Sequence, residues 1–439
     1  MVRVFTFFRV MQDRLVVFVL PLVRRLVRPA SKWLLVLVWG LLWRPQLIQA
    51  QLTKAQVIEV LRDGGLYLTQ AVIDRRGRAQ GAYNLLKARW ENYQTPWRTA
   101  QTSLALLEAY RVSPNPKFLF QAKESGQWWV RQRILDQPEL LGLIDATQRE
   151  GIGDVLGFSA VALGTGALFA LTDQTGDSIY AETALAAGEW LWRNTCDPVT
   201  GICYNYLNPR TGLVVTDRTP YEPQNLDPGL NLVSRPHPEG NMWAEMFRYT
   251  GDSTYWAAHL QSCRTLLRVQ NPQGLWMSYA PNDEATGRID LWLNLWYADA
   301  LIEAHALSGD AAFLDGAART VETYLKLQGR DGSLYADSYR DGQAERRSAR
   351  GSAVAMLGLV MLRLEAAGRS GYAPYIHQCA AWLYYNRYAI IHADPNLRGA
   401  IIDLRQRIRR NQLEVANLDL GTIFGVRFMA TYHDYLSGR

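Results

Sequence analysis

Two kinds of helix-like run alternate along this chain. The first kind is apolar nearly all round: residues 158–169 read Phe-Ser-Ala-Val-Ala-Leu-Gly-Thr-Gly-Ala-Leu-Phe. A helix of that composition is buried on most of its sides. Runs of this kind are predicted over 97–111, 155–171, 242–249, 291–307 and 352–366. The second kind, over 180–193, 255–269 and 313–327, repeats its apolar residues at three and four and keeps one polar face for solvent.

A short punctuation separates each apolar run from the amphipathic run after it. Its five copies are Ser113-Pro114-Asn115, Thr175-Gly176-Asp177, Thr250-Gly251-Asp252, Ser308-Gly309-Asp310 and Ser370-Gly371-Tyr372. Aligning Asn115, Gly176, Gly251, Gly309 and Gly371 gives intervals of 61, 75, 58 and 62 residues. A repeat of one supersecondary unit decides the architecture before any single residue does. A sixth apolar run spans 418–435, and the first run, 56–71, is its natural partner. Three amphipathic runs lead through Gly201, Gly274 and Gly332 into short aromatic stretches, read as strands of hairpin-like loops. Six inner helices alternating with outer ones predict an all-α (α/α)6 toroid with short β-hairpin loops at one rim. An open α-solenoid is the alternative, and the variable repeat length speaks against it.

In such a ring the long loops deliver the chain to the N-termini of the inner helices. Helix N-termini carry partial positive charge and free N–H groups. Arg98, Asp154, Glu239, Asn241, Asp290, Arg350 and Asp419 fall there. Asp177, Asp252 and Asp310 fall at the opposite, tight end and are read as caps.

The net charge of +6 is misleading. Residues 1–50 hold eight basic groups and Asp13, which leaves 39 basic against 40 acidic residues in the remainder. The body therefore has no excess charge to attract nucleic acid. Residues 33–43 are eleven consecutive uncharged residues, and 48–50 offer a cleavage site. This predicts a signal peptide over 1–50, with an N-terminal membrane anchor or interfacial basic helix as the alternative, and a toroid domain over 51–439. Either reading places the body in the periplasm, outside the cell or at a membrane face. Cys196 and Cys203 bracket the turn Asp197-Pro198-Val199-Thr200-Gly201 and are expected to form a disulfide, whereas Cys263 and Cys379 read as small buried hydrophobes. No closely spaced metal-type cluster is visible, and no cofactor is implied.

The repeat, with its Gly-Asp-x-x-aromatic punctuation and its Gly-Leu-Trp and Gly-Ser-Leu-Tyr loops, resembles the six-hairpin glycosidase-like superfamily. The resemblance implies a carbohydrate site in the funnel and a poly- or oligosaccharide partner. Glycoside hydrolysis needs two carboxyl groups, one protonated and one ionised. Glu239 is the expected general acid, with Pro238 and Met242 as apolar flanks raising its pKa. Asp154 or Asp290 is the expected base or nucleophile, and each acid alone also fits an N-cap. Substrate-binding candidates are Trp97, Tyr221, His237, Asn241, Trp276 and Arg350. Trp276 is expected to stack on sugar, Trp292 and Trp296 to pack the core, and Arg350 to grip a uronate carboxylate or sulfate or to be a solvated turn residue. The long loop over 206–240 is a candidate lid. The Arg-rich stretch 394–410 is an anion-binding rim, a membrane-facing patch or a solvated helix face. Two further functions stay open: a polysaccharide lyase or sugar epimerase, drawing on Tyr221, His237 and Arg350, and a non-catalytic glycan-binding or envelope-assembly component.

Overall fold

The computed structural model describes residues 51–439 except 82, 86, 91–95, 149–154, 217–232, 346–347, 410–411, 417 and 439, and describes only the backbone over 406–409 and 412–416. The expected N-terminal targeting segment, Asp154 and Tyr221 lie outside the described residues, as does the middle of the candidate lid.

Twelve α-helices are formed by the described residues. The outer set is α1 (Lys54–Tyr67), α3 (Pro116–Arg131), α5 (Ser178–Thr195), α7 (Ser253–Val269), α9 (Ala311–Leu327) and α11 (Ala373–Tyr385). The inner set is α2 (Pro96–Val112), α4 (Phe158–Thr175), α6 (Met242–Thr250), α8 (Leu291–Ser308), α10 (Gly351–Ala366) and α12 (Leu418–Tyr435). Around the ring α2 packs on α4, α4 on α6 and the turn before it, and that turn on α8. The circle then runs through α10 and α12 and closes where α12 meets α2. The chain is therefore a closed toroid rather than a solenoid, and α1 packs on α12 as the sequence pairing predicts.

The punctuation works by backbone angle and cap together. Gly176, Gly251 and Gly309 end α4, α6 and α8 at φ of +73°, +70° and +71°. An added Cβ there meets nothing within 4 Å, so the left-handed angle alone calls for glycine. The following aspartates cap the outer helices: Asp177, Asp252 and Asp310 accept from the N–H groups of Ile179, Thr254 and Ala312 at 3.1, 2.8 and 2.9 Å.

Short antiparallel strands decorate the opposite rim. They are β1 (Tyr83–Asn84), β2 (Arg89–Trp90), β3 (Thr147–Gln148), β4 (Val155–Gly157), β5 (Cys196–Asp197), β6 (Ile202–Tyr204), β7 (Tyr206–Leu207), β8 (Ser234–Pro236), β9 (Arg288–Ile289), β10 (Ser338–Tyr339), β11 (Ser348–Arg350), β12 (Leu404–Arg409) and β13 (Gln412–Ala416). Cys196 and Cys203 face each other across β5 and β6 and are disulfide-bonded, with Cα atoms 4.0 Å apart. Cys263 and Cys379 are buried thiols.

Four local expectations differ from the structure: residues 155–157 form β4 ahead of α4 rather than helix, 332–335 makes only a single bridge from Tyr335 to Ala349 rather than a strand, and two further stretches depart as follows. The stretch 275–279 is not a strand. Asn294 accepts from the Trp276 N–H at 3.1 Å, and Asn282 donates to the Trp276 carbonyl at 2.8 Å. These side chains satisfy the backbone that a strand partner would otherwise pair. The described part of the Arg-rich stretch, residues 394–409, forms turns followed by β12, paired with β11 and β13, and not a helix face.

The inner helices are 16 to 18 residues long except α6, which has nine. At 1.5 Å per residue the deficit is about 12 Å. β8 and a 3-10 turn over Glu239–Asn241 fill the missing length and bring residues 235–241 deep into the ring wall. Gly240 there has φ +76°, and a Cβ would sit 2.9 Å from the Ala162 carbonyl oxygen, so both angle and space require glycine.

Candidate functional site

The truncation of α6 places Glu239 inside the protein rather than on the funnel. Its relative exposure is 0%. Its Oε1 accepts from Arg235 Nη2 at 2.7 Å and lies 2.9 Å from His237 Nδ1. Arg235 also donates to the Tyr297 hydroxyl at 2.7 Å, and that hydroxyl donates to the Pro236 carbonyl at 2.9 Å. His237 stacks on Phe158 with ring centres 4.4 Å apart, and its Nε2 lies 2.9 Å from Asn205 Oδ1.

Burial pushes the Glu239 pKa up, but the charge of Arg235 and the bond from His237 outweigh it and bring it down to about 2. The expectation of a raised general acid is therefore corrected. Pro238 and Met242 do flank Glu239, but a guanidinium reached through four residues of backbone overrides their effect. Burial, reinforced by Arg235, drives His237 down to about 4 against the opposing pull of Glu239. His237 is thus enclosed in the ring wall, which corrects its expected place among the substrate-binding residues. The cluster bolts the start of α6 to α4 and α8.

This burial predicts acid sensitivity. An unfolded histidine takes up a proton near pH 6.5, whereas His237 and His259, the latter also driven by burial, resist protonation until about pH 4. The unfolded state binds more protons in that window, so stability falls as pH falls from 6.5 towards 4. Glu239 extends the loss below pH 4.5 towards 2, where its carboxylate must be protonated against Arg235. The thermal midpoint should decline steadily over pH 6.5 to 4, and a His237→Gln, His259→Gln variant should flatten that slope.

Asp290 is the N-cap of α8. Its Oδ1 accepts from the Trp292 and Leu293 N–H groups at 3.0 and 2.6 Å. Burial raises its pKa, against those two bonds and the charge of Arg350. Asn is as good a cap as Asp, whereas Ala loses about 1 kcal/mol. Asp290→Asn should therefore keep the thermal midpoint, and Asp290→Ala should lower stability by about 1 kcal/mol in chemical denaturation.

Trp276 is fully buried and donates from Nε1 to the Leu266 carbonyl at 2.8 Å. It packs the core, which corrects its assignment as a stacking platform. Trp292 and Trp296 pack against the core as expected, and both keep part of their surface exposed. Trp296 meets Trp97 edge to face at 6.1 Å, joining α8 to α2. Trp292 carries the Arg350 guanidinium over its ring at 5.1 Å and donates to Ser352 at 3.0 Å. No acid neighbours Arg350 in sequence, but the fold supplies one, Asp403, at 3.4 Å. Arg98 pairs with Asp419 at 2.8 Å, both buried, and ties α2 to α12. At this rim the structure therefore assembles Trp97, Trp292, Trp296 and Arg350.

The fold also reveals residues absent from the sequence reading. Trp292, Trp296, Asp299 and Glu303 recur at the spacing that lines one face of a helix. Asp299 pairs with Arg363 of α10 and accepts from Asn241 Nδ2 at 3.1 Å. The side chains of Asp299 and Arg363 keep 28% and 29% exposure. Arg363 also reaches Glu303 at 2.5 Å, and Glu303 pairs with Arg248 of α6. Arg427 of α12 donates to Gln101 of α2 at 2.5 Å. Charged side chains from α6, α8 and α10 thus meet beneath the tryptophans. The signal was present in the sequence: Asp299 and Glu303 interrupt an otherwise apolar helix on the same stripe as the two tryptophans. Among the described residues no cluster of three or more His, Cys, Asp and Glu side chains is arranged to hold a metal ion, and no helix is long and apolar enough to cross a membrane.

No protein-family model and no curated relative matches the chain. Solved structures do match it over most of its length. An unsaturated glucuronyl hydrolase from a Bacillus species, responsible for the degradation of glycosaminoglycan, superimposes with a TM-score of 0.60 at 13% identity over 86% of this chain and 96% of that one. Cellobiose 2-epimerase from Bacillus thermoamylovorans gives 0.65 at 11% identity, over 86% and 99%. A D-mannose isomerase gives 0.61 at 12% identity, over 86% and 97%. At such identities the likeness speaks for the fold alone, and the chain has an (α/α)6 toroid fold.

Proposed function

We propose that the chain is an exported carbohydrate-active protein that holds a poly- or oligosaccharide in the funnel, acting as a glycoside hydrolase. One observation carries this reading: Trp97, Trp292 and Trp296 stand above Asp299, which Arg363 and Asn241 hold in place. Flat rings offer apolar faces for sugar, and a fixed carboxylate with amide and guanidinium neighbours offers proton transfer and hydroxyl contacts. Asp299 supplies one carboxyl group. Asp290 does not complete the pair: nine residues along one helix separate their backbones by about 13 Å, beyond the 5–9.5 Å that flanks a glycosidic bond. Asp154, outside the described residues, is the sequence candidate for the second carboxyl.

Sugar release by the purified chain across a panel of neutral and uronate-containing oligosaccharides tests the proposal. Trp296→Ala should weaken binding of the accepted sugar by about tenfold, because a large aromatic contact face is lost. Retained affinity in that variant would remove the funnel from the account. A product with new ultraviolet absorption from a double bond would instead select the lyase reading, and binding without turnover the non-catalytic one.

A further inference from the structure

We propose a second saccharide subsite outside the funnel, specific for sugars that carry sulfate or carboxylate groups. It occupies a cleft of about 570 Å³ on the rim, lined by Arg76, Arg78, Trp128, Arg131, Gln132 and Asp145 among others. The inference rests on reading the funnel as a sugar site, because Pro96 in the cleft wall directly precedes Trp97 at the funnel mouth.

Three guanidinium groups are gathered here from two elements: the turn after α1 supplies Arg76 and Arg78, and the last turn of α3 supplies Arg131. Arg131 Nη2 donates to the Arg76 carbonyl at 3.0 Å, which fixes the two segments together. The acids nearby are committed. Asp74 pairs with Arg78 at 3.2 Å and also accepts from the Arg76 and Arg78 N–H groups. Among the described residues Asp145 is the one carboxylate in the lining, and it accepts from the Thr147 N–H and hydroxyl. Arg76 and Arg131 have no carboxylate partner among the described residues, and the Arg78 Nε is buried without an acceptor. Like charges held together in a concave site favour an anion between them. Planar guanidinium groups match sulfate and carboxylate in two-point contacts. Trp128, partly exposed one turn before Arg131 and Gln132, adds a flat ring for the sugar itself. The position of Arg131 also suits the negative end of α3, but that role explains neither Arg76, Arg78 nor the cleft.

The test is binding of three tetrasaccharides to the full chain: a heparin-derived sulfated one, an oligogalacturonate and a neutral glucose tetramer. The two anionic sugars should bind more tightly, and their affinity should fall as salt rises. Arg76→Ala, Arg131→Ala should weaken anionic binding by roughly a hundredfold, about tenfold for each charge-assisted contact, while Arg76→Ala alone, which leaves the bond from Arg131 to the Arg76 carbonyl in place, should weaken it about tenfold at an unchanged thermal midpoint. Preference for sulfate over carboxylate, or the reverse, identifies the group recognised. Anionic binding should survive Trp296→Ala, so a failed funnel and a failed cleft give different results. Equal affinity for neutral and anionic sugars, no anionic binding at all, or unchanged binding in the double arginine variant overturns the proposal.

Discussion

Glu239→Gln should cost the protein about 3–5 kcal/mol of stability, and any loss of activity should follow from that loss of folding. The neutral amide leaves the Arg235 guanidinium buried at the ring wall with its charge uncompensated, and the pair is 2.7 Å apart with Glu239 wholly enclosed. For a unit of this length the midpoint should fall by about 5 °C. Replacing both members, as Arg235→Met with Glu239→Leu, should recover part of the loss, because no unpaired charge is then buried. Calorimetry of the three proteins checks this. A Glu239→Gln protein with wild-type stability and no turnover would instead restore Glu239 to the role of general acid.

The repeat was legible because its devices are local. Glycine at a left-handed angle and aspartate at the next cap act within six residues of sequence, so Gly176-Asp177, Gly251-Asp252 and Gly309-Asp310 mark helix ends without tertiary context. The predicted inner helices over 97–111, 242–249, 291–307 and 352–366 accordingly lie within one or two residues of those observed. Asp290 was legible as a helix-start residue for the same reason.

The inner wall was not legible, because it depends on depth and rotation. Glu239 aligns with Asp290 along the sequence, but α6 begins about 12 Å lower than its neighbours, so the equivalent position is a buried ion pair. Trp276 and Trp296 are both tryptophans beside apolar residues. Which one is fully enclosed is decided by the Asn282 and Asn294 carboxamides that pull 276–282 inward. Asp299 lies in the middle of a helix, away from the rim where the sequence places the candidate site. A charged residue inside a mostly apolar helix needs a partner, and that partner, Arg363, lies 64 residues away.

Asp299→Asn should reduce turnover by about a hundredfold or more, the usual effect of removing a proton-transferring side chain. Its stability should fall by less than that of Glu239→Gln, since both members of the Asp299–Arg363 pair are more than a quarter exposed and solvent screens the lost charge. The amide keeps the shape of the site and an oxygen for Arg363, so sugar affinity should change little. A fall in kcat with a steady KM is therefore the expected signature. Trp296→Ala, by contrast, should raise KM first, because it removes a contact face and no charge.

The most direct test is the single-turnover rate of Asp299→Asn beside the wild-type chain, on whichever oligosaccharide the panel identifies, with sugar affinity measured on the same samples. The account predicts bound sugar and a rate about a hundredfold lower. A rate equal to wild type, with affinity intact, would contradict the placement of the chemistry at Asp299 beneath the tryptophans of the funnel.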